Sequence, residues 1–180
     1  NSKYISEVYV STDDKEIAAI AAEYGAEVPF WRPAEVSDDT TPTRPVIKHA
    51  VKWYHDNYEP LDFVCWMYAT APLMTSKDIQ NAFDKLQKTN WDIVFSAVKF
   101  SYPIQRAFKL TNGEKVEMFE PQYQKTRSQD LEEAFHDAGQ FYFAKVEAVM
   151  QDISTFSSNS TVVLLPPSRV QDIDTLEDWR

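Results

Sequence analysis

Leu61-Asp62-Phe63-Val64-Cys65-Trp66-Met67-Tyr68 is apolar throughout except for Asp62, and Ala69-Thr70-Ala71-Pro72 follows it directly. A strand without polar alternation is buried on both faces, the habit of parallel sheets covered by helices. The flanking segments fit that frame. Upstream, Thr43 and Pro45 open a helix that carries Val46, Ile47, Ala50, Val51 and Tyr54 on one face. Downstream, Ser76 starts another, with Ile79, Phe83 and Leu86 inward. Residues 92–100 are the next strand, 139–144 another, 146–152 a helix and 161–165 a last strand. Nearer the N-terminus, residues 7–10 and 27–30 read as strands. Between them Asp13 and Glu16 suggest a capped helix start, Ile17, Ile20, Ala21 and Tyr24 form its inner stripe, and Gly25 ends it. Thr111-Asn112-Gly113-Glu114 is a hairpin turn between residues 106–110 and 115–119. Residues 122–137 are polar and irregular. Alternating strands and helices define an α/β sheet interrupted by one hairpin excursion.

The chain has 180 residues, which predicts one domain, and 43% hydrophobic residues, enough for a proper core. The formal net charge is -10 with no basic tract, which argues against nucleic acid as a partner. No stretch is long and apolar enough to suggest a membrane span, and no signal peptide is visible, so a cytoplasmic protein is expected. The single cysteine, Cys65, sits in the apolar strand and reads as a buried thiol. Asn159-Ser160-Thr161 matches the glycosylation acceptor pattern and is taken as accidental.

Chemistry concentrates where strands end. Val170-Gln171-Asp172-Ile173-Asp174-Thr175 places two carboxylates on one face of an extended segment, ahead of a helix capped by Thr175 with Asp178 three residues on. Side by side they repel unless a cation lies between them, and hard oxygen ligands suit Mg²⁺. The alternative is a solvated acidic turn. Residues 11–14 and 68–73 follow other strands, and in a parallel sheet all three clusters would share one crevice. Asp13 and Asp14 are read first as helix caps. Arg106 and Arg127 lie in the polar excursion, where a guanidinium would clamp a carboxylate and the plain alternative is surface arginine. His136 could bind an anion or satisfy a fold contact. His49 and His55 read as structural or exposed.

Taken in order, the segments resemble the cytidylyltransferases that activate nine-carbon sugar acids. The matching pieces are Val10-Ser11-Thr12-Asp13-Asp14, Arg32-Pro33, Ser37-Asp38-Asp39, Tyr68-Ala69-Thr70-Ala71-Pro72, Pro103-Ile104-Gln105-Arg106, Thr126-Arg127-Ser128-Gln129-Asp130, His136-Asp137-Ala138-Gly139-Gln140-Phe141-Tyr142 and the Asp172–Asp174 run. The resemblance implies a Rossmann-like nucleotide-diphospho-sugar transferase fold over residues 1–180, with an excursion at about residues 101–127 that makes a homodimer. It implies transfer of CMP from CTP to a nonulosonic acid with release of pyrophosphate. Arg32 and Thr43 match residues that meet the cytidine. Asp172 and Asp174 match the Mg²⁺-binding pair, Asp174 being the better candidate to deprotonate the attacking hydroxyl. Tyr68, Arg106, Arg127, His136, Tyr142 and Phe156 fall where the sugar acid is held.

Sialic acid enzymes of that family carry Gln in place of Tyr68 and Arg near His136, which favours a pseudaminic-type sugar over a sialic or legionaminic one. The family also begins with a strand and a basic glycine-rich loop, close to Ala-Arg-Gly-Gly-Ser-Lys, that cradles the triphosphate. The residues given contain only Gly25, Gly113 and Gly139 and no such loop, so they are expected to be inactive alone. A different class of reading is a non-catalytic sugar-nucleotide binding scaffold that lacks the loop altogether.

Overall fold

The computed structural model describes residues 4–171, 173 and 175–178. Its core is a four-stranded sheet in the order β1 (Phe63–Met67), β5 (Phe135–Lys145), β2 (Ile93–Lys99), β6 (Ser160–Leu164). β2 and β6 pair parallel, and β5 runs antiparallel to both β1 and β2. Thus β1, β2 and β6 end on one edge, where β5 begins.

The helices follow from their caps and apolar stripes. Asp14 accepts from the backbone of Glu16 and Ile17 and starts α1 (Lys15–Glu23), and Gly25 leaves it at φ 84°. α2 (Thr43–Asn57) tolerates Pro45 in its first turn, where a missing N–H costs nothing. A reciprocal Thr75–Asp78 capping box opens α3 (Ser76–Lys88). α2 and the short α4 (Val146–Met150) cover one sheet face, packing Ile47, Val51 and Val149 against Phe95, Tyr142 and Ala144. α3 covers the other with Ile79, Ala82 and Leu86 against Val94, Phe141, Phe143 and Val163. The hairpin of β3 (Phe108–Thr111) and β4 (Lys115–Met118) projects as a separate two-stranded sheet. It turns through Asn112 at φ 50° and Gly113 at φ 78°, the left-handed pair the dipeptide suggested.

Three expectations need correction. The segment that suggested a doubly buried parallel strand is β1, half-buried and hydrogen-bonded among the described residues to antiparallel β5 alone. Its unbroken apolar run reflects packing of Phe63 and Cys65 toward α3 and of Val64 and Trp66 toward α2. Residues 7–10 and 27–30 do not join this sheet; they meet through parallel bridges, Tyr9 with Glu27 and Thr12 with Trp31. The α1 stripe is not covered among the described residues: no residue of α1 is buried, and Ile17 and Ile20 are half-exposed.

β5 also begins earlier than its apolar run, at Phe135, because it is broken by a wide bulge. Phe95 pairs with Tyr142, yet Ala97 pairs with Asp137, so residues 138–141 lie opposite Ser96 alone. Three devices hold the bulge. Gly139 turns at φ 61°. Asp137 Oδ1 accepts from Gly139 N at 2.9 Å. Ser96 Oγ, fully buried, accepts from the backbone N–H groups of Gln140 and Phe141 at 3.3 and 3.2 Å. Bulges bend a strand and re-aim its side chains. This one lies where β1 and β6 end, opposite the middle of β2.

Asp78 is the most strongly engaged buried carboxylate described. Burial alone would raise its pKa, but Arg169 and Thr75 outweigh that and hold it below the usual carboxylate range. A depressed folded-state pKa contributes stability that is complete above the unfolded value, near 4, and is lost as pH falls through the folded one. Wild-type and Asp78→Asn melting temperatures should therefore differ by a constant amount near neutrality and converge below about pH 4. A gap that persists at low pH would remove the ion pair as its cause.

Candidate active site

The bulge and the end of β1 bring together three of the residues singled out in the sequence. Tyr142 of β5 stacks on Trp66 of β1, ring centroids 5.2 Å apart and 6° from parallel, and on Phe95 of β2 at 6.0 Å. Tyr68, one residue past β1, stands edge-on to Tyr142 at 5.7 Å. The Tyr68 hydroxyl lies 3.0 Å from Thr43 Oγ1 in the first turn of α2. The Tyr68 N–H donates to Gln140 O at 3.0 Å, which holds the loop leaving β1 onto the bulge.

Tyr142 Oη donates to Asp137 Oδ2 at 2.7 Å. Burial first, and then the Asp137 carboxylate, push the Tyr142 phenol far above its ordinary value. It therefore stays protonated, and its one proton is committed to Asp137. Buried at 7% exposure, Tyr142 backs Tyr68 from the core side. Phe156 extends the aromatic wall edge-on to Phe95 at 5.6 Å and is 75% exposed, a contact face without a protein partner over most of its surface.

The remaining candidates lie elsewhere along the same edge. His136 Nδ1 bonds Asp137 O at 2.9 Å, and its ring packs on Phe100 at 4.7 Å. It lines a cleft of about 490 Å³ with Lys99, Ser101, Tyr102, Pro167 and Val170. Arg106 reaches Ser128 Oγ at 3.4 Å, next to exposed Arg127, so the two ends of the excursion meet there. Among the described residues no hydrogen bond joins either arginine to Tyr68 or Tyr142. Arg32 pairs with Asp13 at 3.1 Å and Ser37 at 3.2 Å. Asp14 proves to be the cap and Asp13 the partner of Arg32.

Asp172 and Asp174 lie outside the described residues. Beyond them, Thr175 N and Oγ1 both donate to Asp178 Oδ2 at 2.8 Å, closing a turn where a helix start was expected. Among the described residues no group of three or more His, Cys, Asp or Glu side chains could hold a metal. The donor chemistry of the Asp172–Asp174 pair does suit Mg²⁺, which takes one or two carboxylates and keeps sites for phosphate and water.

Other readings resolve simply. His49 packs edge-on to Phe30, and His55 Nε2 accepts from Leu61 N at 3.2 Å, so both are structural. Burial pushes the Cys65 thiol up to about 12, an inert group. Asn159 Nδ2 donates to Asn90 O at 2.9 Å, so the amide of the acceptor pattern is already engaged. The sequence reading missed Asp137 and Arg44. Arg44 lies over Trp66 at 5.7 Å and donates to Ile153 O at 2.9 Å, tying the loop ahead of Phe156 to α2. The one local signal for Asp137 was an Asp two residues before a glycine. Arg44 had only its place next to Thr43.

With this geometry established, comparison with known proteins is specific. Residues 1–171 match the cytidylyltransferase family model. The chain belongs to the cytidylyltransferase family. It is 40% identical over 178 residues to a pseudaminic acid cytidylyltransferase of Campylobacter jejuni subsp. jejuni serotype O:2, covering 99% of this chain and 77% of that one. It is 36% identical to a Helicobacter pylori protein named as both pseudaminic acid cytidylyltransferase and UDP-2,4-diacetamido-2,4,6-trideoxy-beta-L-altropyranose hydrolase, matching all of this cytidylyltransferase chain and 34% of that protein. The fold is also similar to that of a CMP:2-keto-3-deoxy-manno-octonic acid synthetase solved with CTP. There the TM-score is 0.59 at 11% identity over 92% of this chain and 75% of the other.

Proposed function

We propose that this cytidylyltransferase activates pseudaminic acid, joining it to CMP from CTP and releasing pyrophosphate. One observation carries the choice of sugar: the 40% identity, across 99% of this chain, to an enzyme named for that substrate. The site chemistry supports it. Tyr68 stands edge-on against buried Tyr142 and carries its hydroxyl beside Thr43 Oγ1, which suits a sugar rich in amide and hydroxyl groups. Thr43, at the start of α2, is proposed to meet the cytidine together with Arg32. Arg106, Arg127 and His136 are proposed to approach the sugar acid from the excursion and the cleft, with Phe156 against its apolar side.

In this reading the anomeric hydroxyl forms a bond to the α-phosphorus as the bond to the β-phosphate oxygen breaks, and pyrophosphate carries the electrons away. Asp174 takes the hydroxyl proton. Asp172 and Asp174 would hold Mg²⁺, which when bound neutralises charge on the α-phosphate and the leaving pyrophosphate. The protein's own contribution is positioning and charge placement. The hairpin supports a homodimer, since Phe108, Leu110, Val116 and Phe119 expose apolar surface there. No helix among the described residues is long and apolar enough to cross a membrane, and the proposed site of action is the cytoplasm.

A pyrophosphate-release assay tests the assignment, using the full-length protein, CTP, Mg²⁺ and a panel of nonulosonic acids. Release with pseudaminic acid is expected; silence with every acid would overturn it. Tyr68→Gln combined with His136→Arg should shift the kcat/KM ratio toward sialic or legionaminic acid by about tenfold or more, the scale of losing a matched polar contact. An unchanged ratio would mean that these positions do not read the sugar.

A further inference from the structure

The segment that leads from β6 to the Asp172–Asp174 run is gripped at one residue from two sides. Gln140 Nε2, projecting from the bulge, donates to Arg169 O at 2.6 Å. The Arg169 guanidinium reaches the opposite way, to Asp78 Oδ2 at 2.5 Å, Asp78 Oδ1 at 3.1 Å and Leu73 O at 3.4 Å. Asp78 in turn accepts from Thr75 N and Oγ1 at 2.9 and 2.6 Å. Both grips return to the loop that begins at Tyr68. Gln140 O accepts from Tyr68 N at its start, and Thr75 with Asp78 closes its end at α3.

We propose that Gln140 and the Asp78–Arg169 ion pair are positioning residues. Together they set residues 166–171 against the loop carrying Tyr68. Stability alone is a poor reason for such groups. Gln140 is 2% exposed, yet among the described residues its Oε1 accepts no hydrogen bond, and an ion pair whose arginine is 31% exposed commonly adds little to stability. What an apolar replacement cannot supply is direction. The bidentate fork fixes the arginine in orientation as well as distance, and the Gln140 amide fixes its carbonyl from the other side. The bulge is what allows this, because it turns the Gln140 side chain out of the strand's alternation and toward the edge.

Gln140→Met separates positioning from folding. It removes the unfilled acceptor along with one hydrogen bond, and Arg169 is partly exposed, so water can satisfy the freed carbonyl. In the full-length protein its melting temperature should stay close to wild type. Hydrogen exchange in a peptide covering residues 166–171 should speed up about tenfold or more while α3 and β2 are unchanged. In the cytidylyltransferase assay kcat should fall about ten- to a hundredfold, with KM for CTP and for the sugar acid little changed, as expected for misplacement rather than lost binding. Arg169→Lys, which keeps charge without the fork, should loosen the same peptide.

Unchanged exchange in residues 166–171 would overturn the inference, as would loosening spread over the whole protein with a matching loss of melting temperature. The inference rests on the proposed function only for its kinetic readout. If the wild-type protein released no pyrophosphate, the proposed function would fall, and the exchange measurement would still decide whether the brace exists.

Discussion

Replacing Asp174 with Asn in the full-length protein is expected to lower pyrophosphate release by about 10²–10³-fold at saturating CTP and Mg²⁺, the scale seen when one preorganised electrostatic contact to a reacting centre is removed. The substitution keeps shape and removes charge. Two consequences fall on one residue, since an amide neither accepts the proton of the attacking hydroxyl nor matches a carboxylate as a Mg²⁺ ligand. Asp172→Asn removes ligation alone in this reading and should be the milder change, with part of its loss recovered at high Mg²⁺. The double variant should be little worse than Asp174→Asn, because residues acting as one unit are not additive. Near-wild-type turnover in Asp174→Asn would take that residue out of the reaction. Equal and multiplicative losses would mean that the two carboxylates act separately.

The parts of the molecule legible in the sequence are those whose cause is local. The Asn112–Gly113 turn needs two left-handed residues and advertises them. The Thr75–Asp78 box and the stripe of Ile79, Ala82 and Leu86 define α3 within a dozen residues. Alternation of such elements is enough to read an α/β sheet. It is not enough to read which strand lies beside which. β1 and β5 are far apart in the chain, and nothing in residues 61–68 announces an antiparallel partner at residues 141–145. The early start of β5 was hidden for a related reason. Residues 139–144 read as a strand from their apolar run, but strand periodicity fails across residues 138–141, so the polar start at residues 135–138 did not.

The site divides in the same way. Thr43, Tyr68 and Tyr142 were legible as a family pattern, and the structure does cluster them. Asp137, Arg44, Gln140 and Arg169 were not, because each matters through one long-range bond that no spacing rule reports. His136 and Tyr142 sit in one run of the sequence, yet they face different surroundings, since the bulge lies between them.

Of the three devices that hold the bulge, the Ser96 hydroxyl satisfies the most backbone groups, so Ser96→Ala is expected to have the largest effect on stability of any single-atom deletion near the site. Ser96 is fully buried in β2, and its Oγ accepts from two backbone N–H groups that the irregular pairing of β5 leaves without a strand partner there. Alanine removes the acceptor and supplies nothing in its place. Each stranded donor costs about 1–3 kcal/mol, so the loss should be about 2–4 kcal/mol after partial relaxation. For a domain of this size that lowers the melting temperature by roughly 5–15 °C.

The effect should reach the site by a definite route. Loosening Gln140 and Phe141 frees the strand on which Asp137 orients Tyr142 and Gln140 holds Arg169, so activity at a temperature where the variant remains folded should fall as well. Ser96→Thr keeps the hydroxyl and restores the acceptor, but adds a methyl group to a filled core at a cost of about 1–3 kcal/mol. It should therefore be destabilised yet retain the site's geometry and its KM values. If Ser96→Ala melts within about 2 °C of wild type, water or a backbone shift satisfies the two donors, and the bulge is held by Gly139 and Asp137 without help from β2.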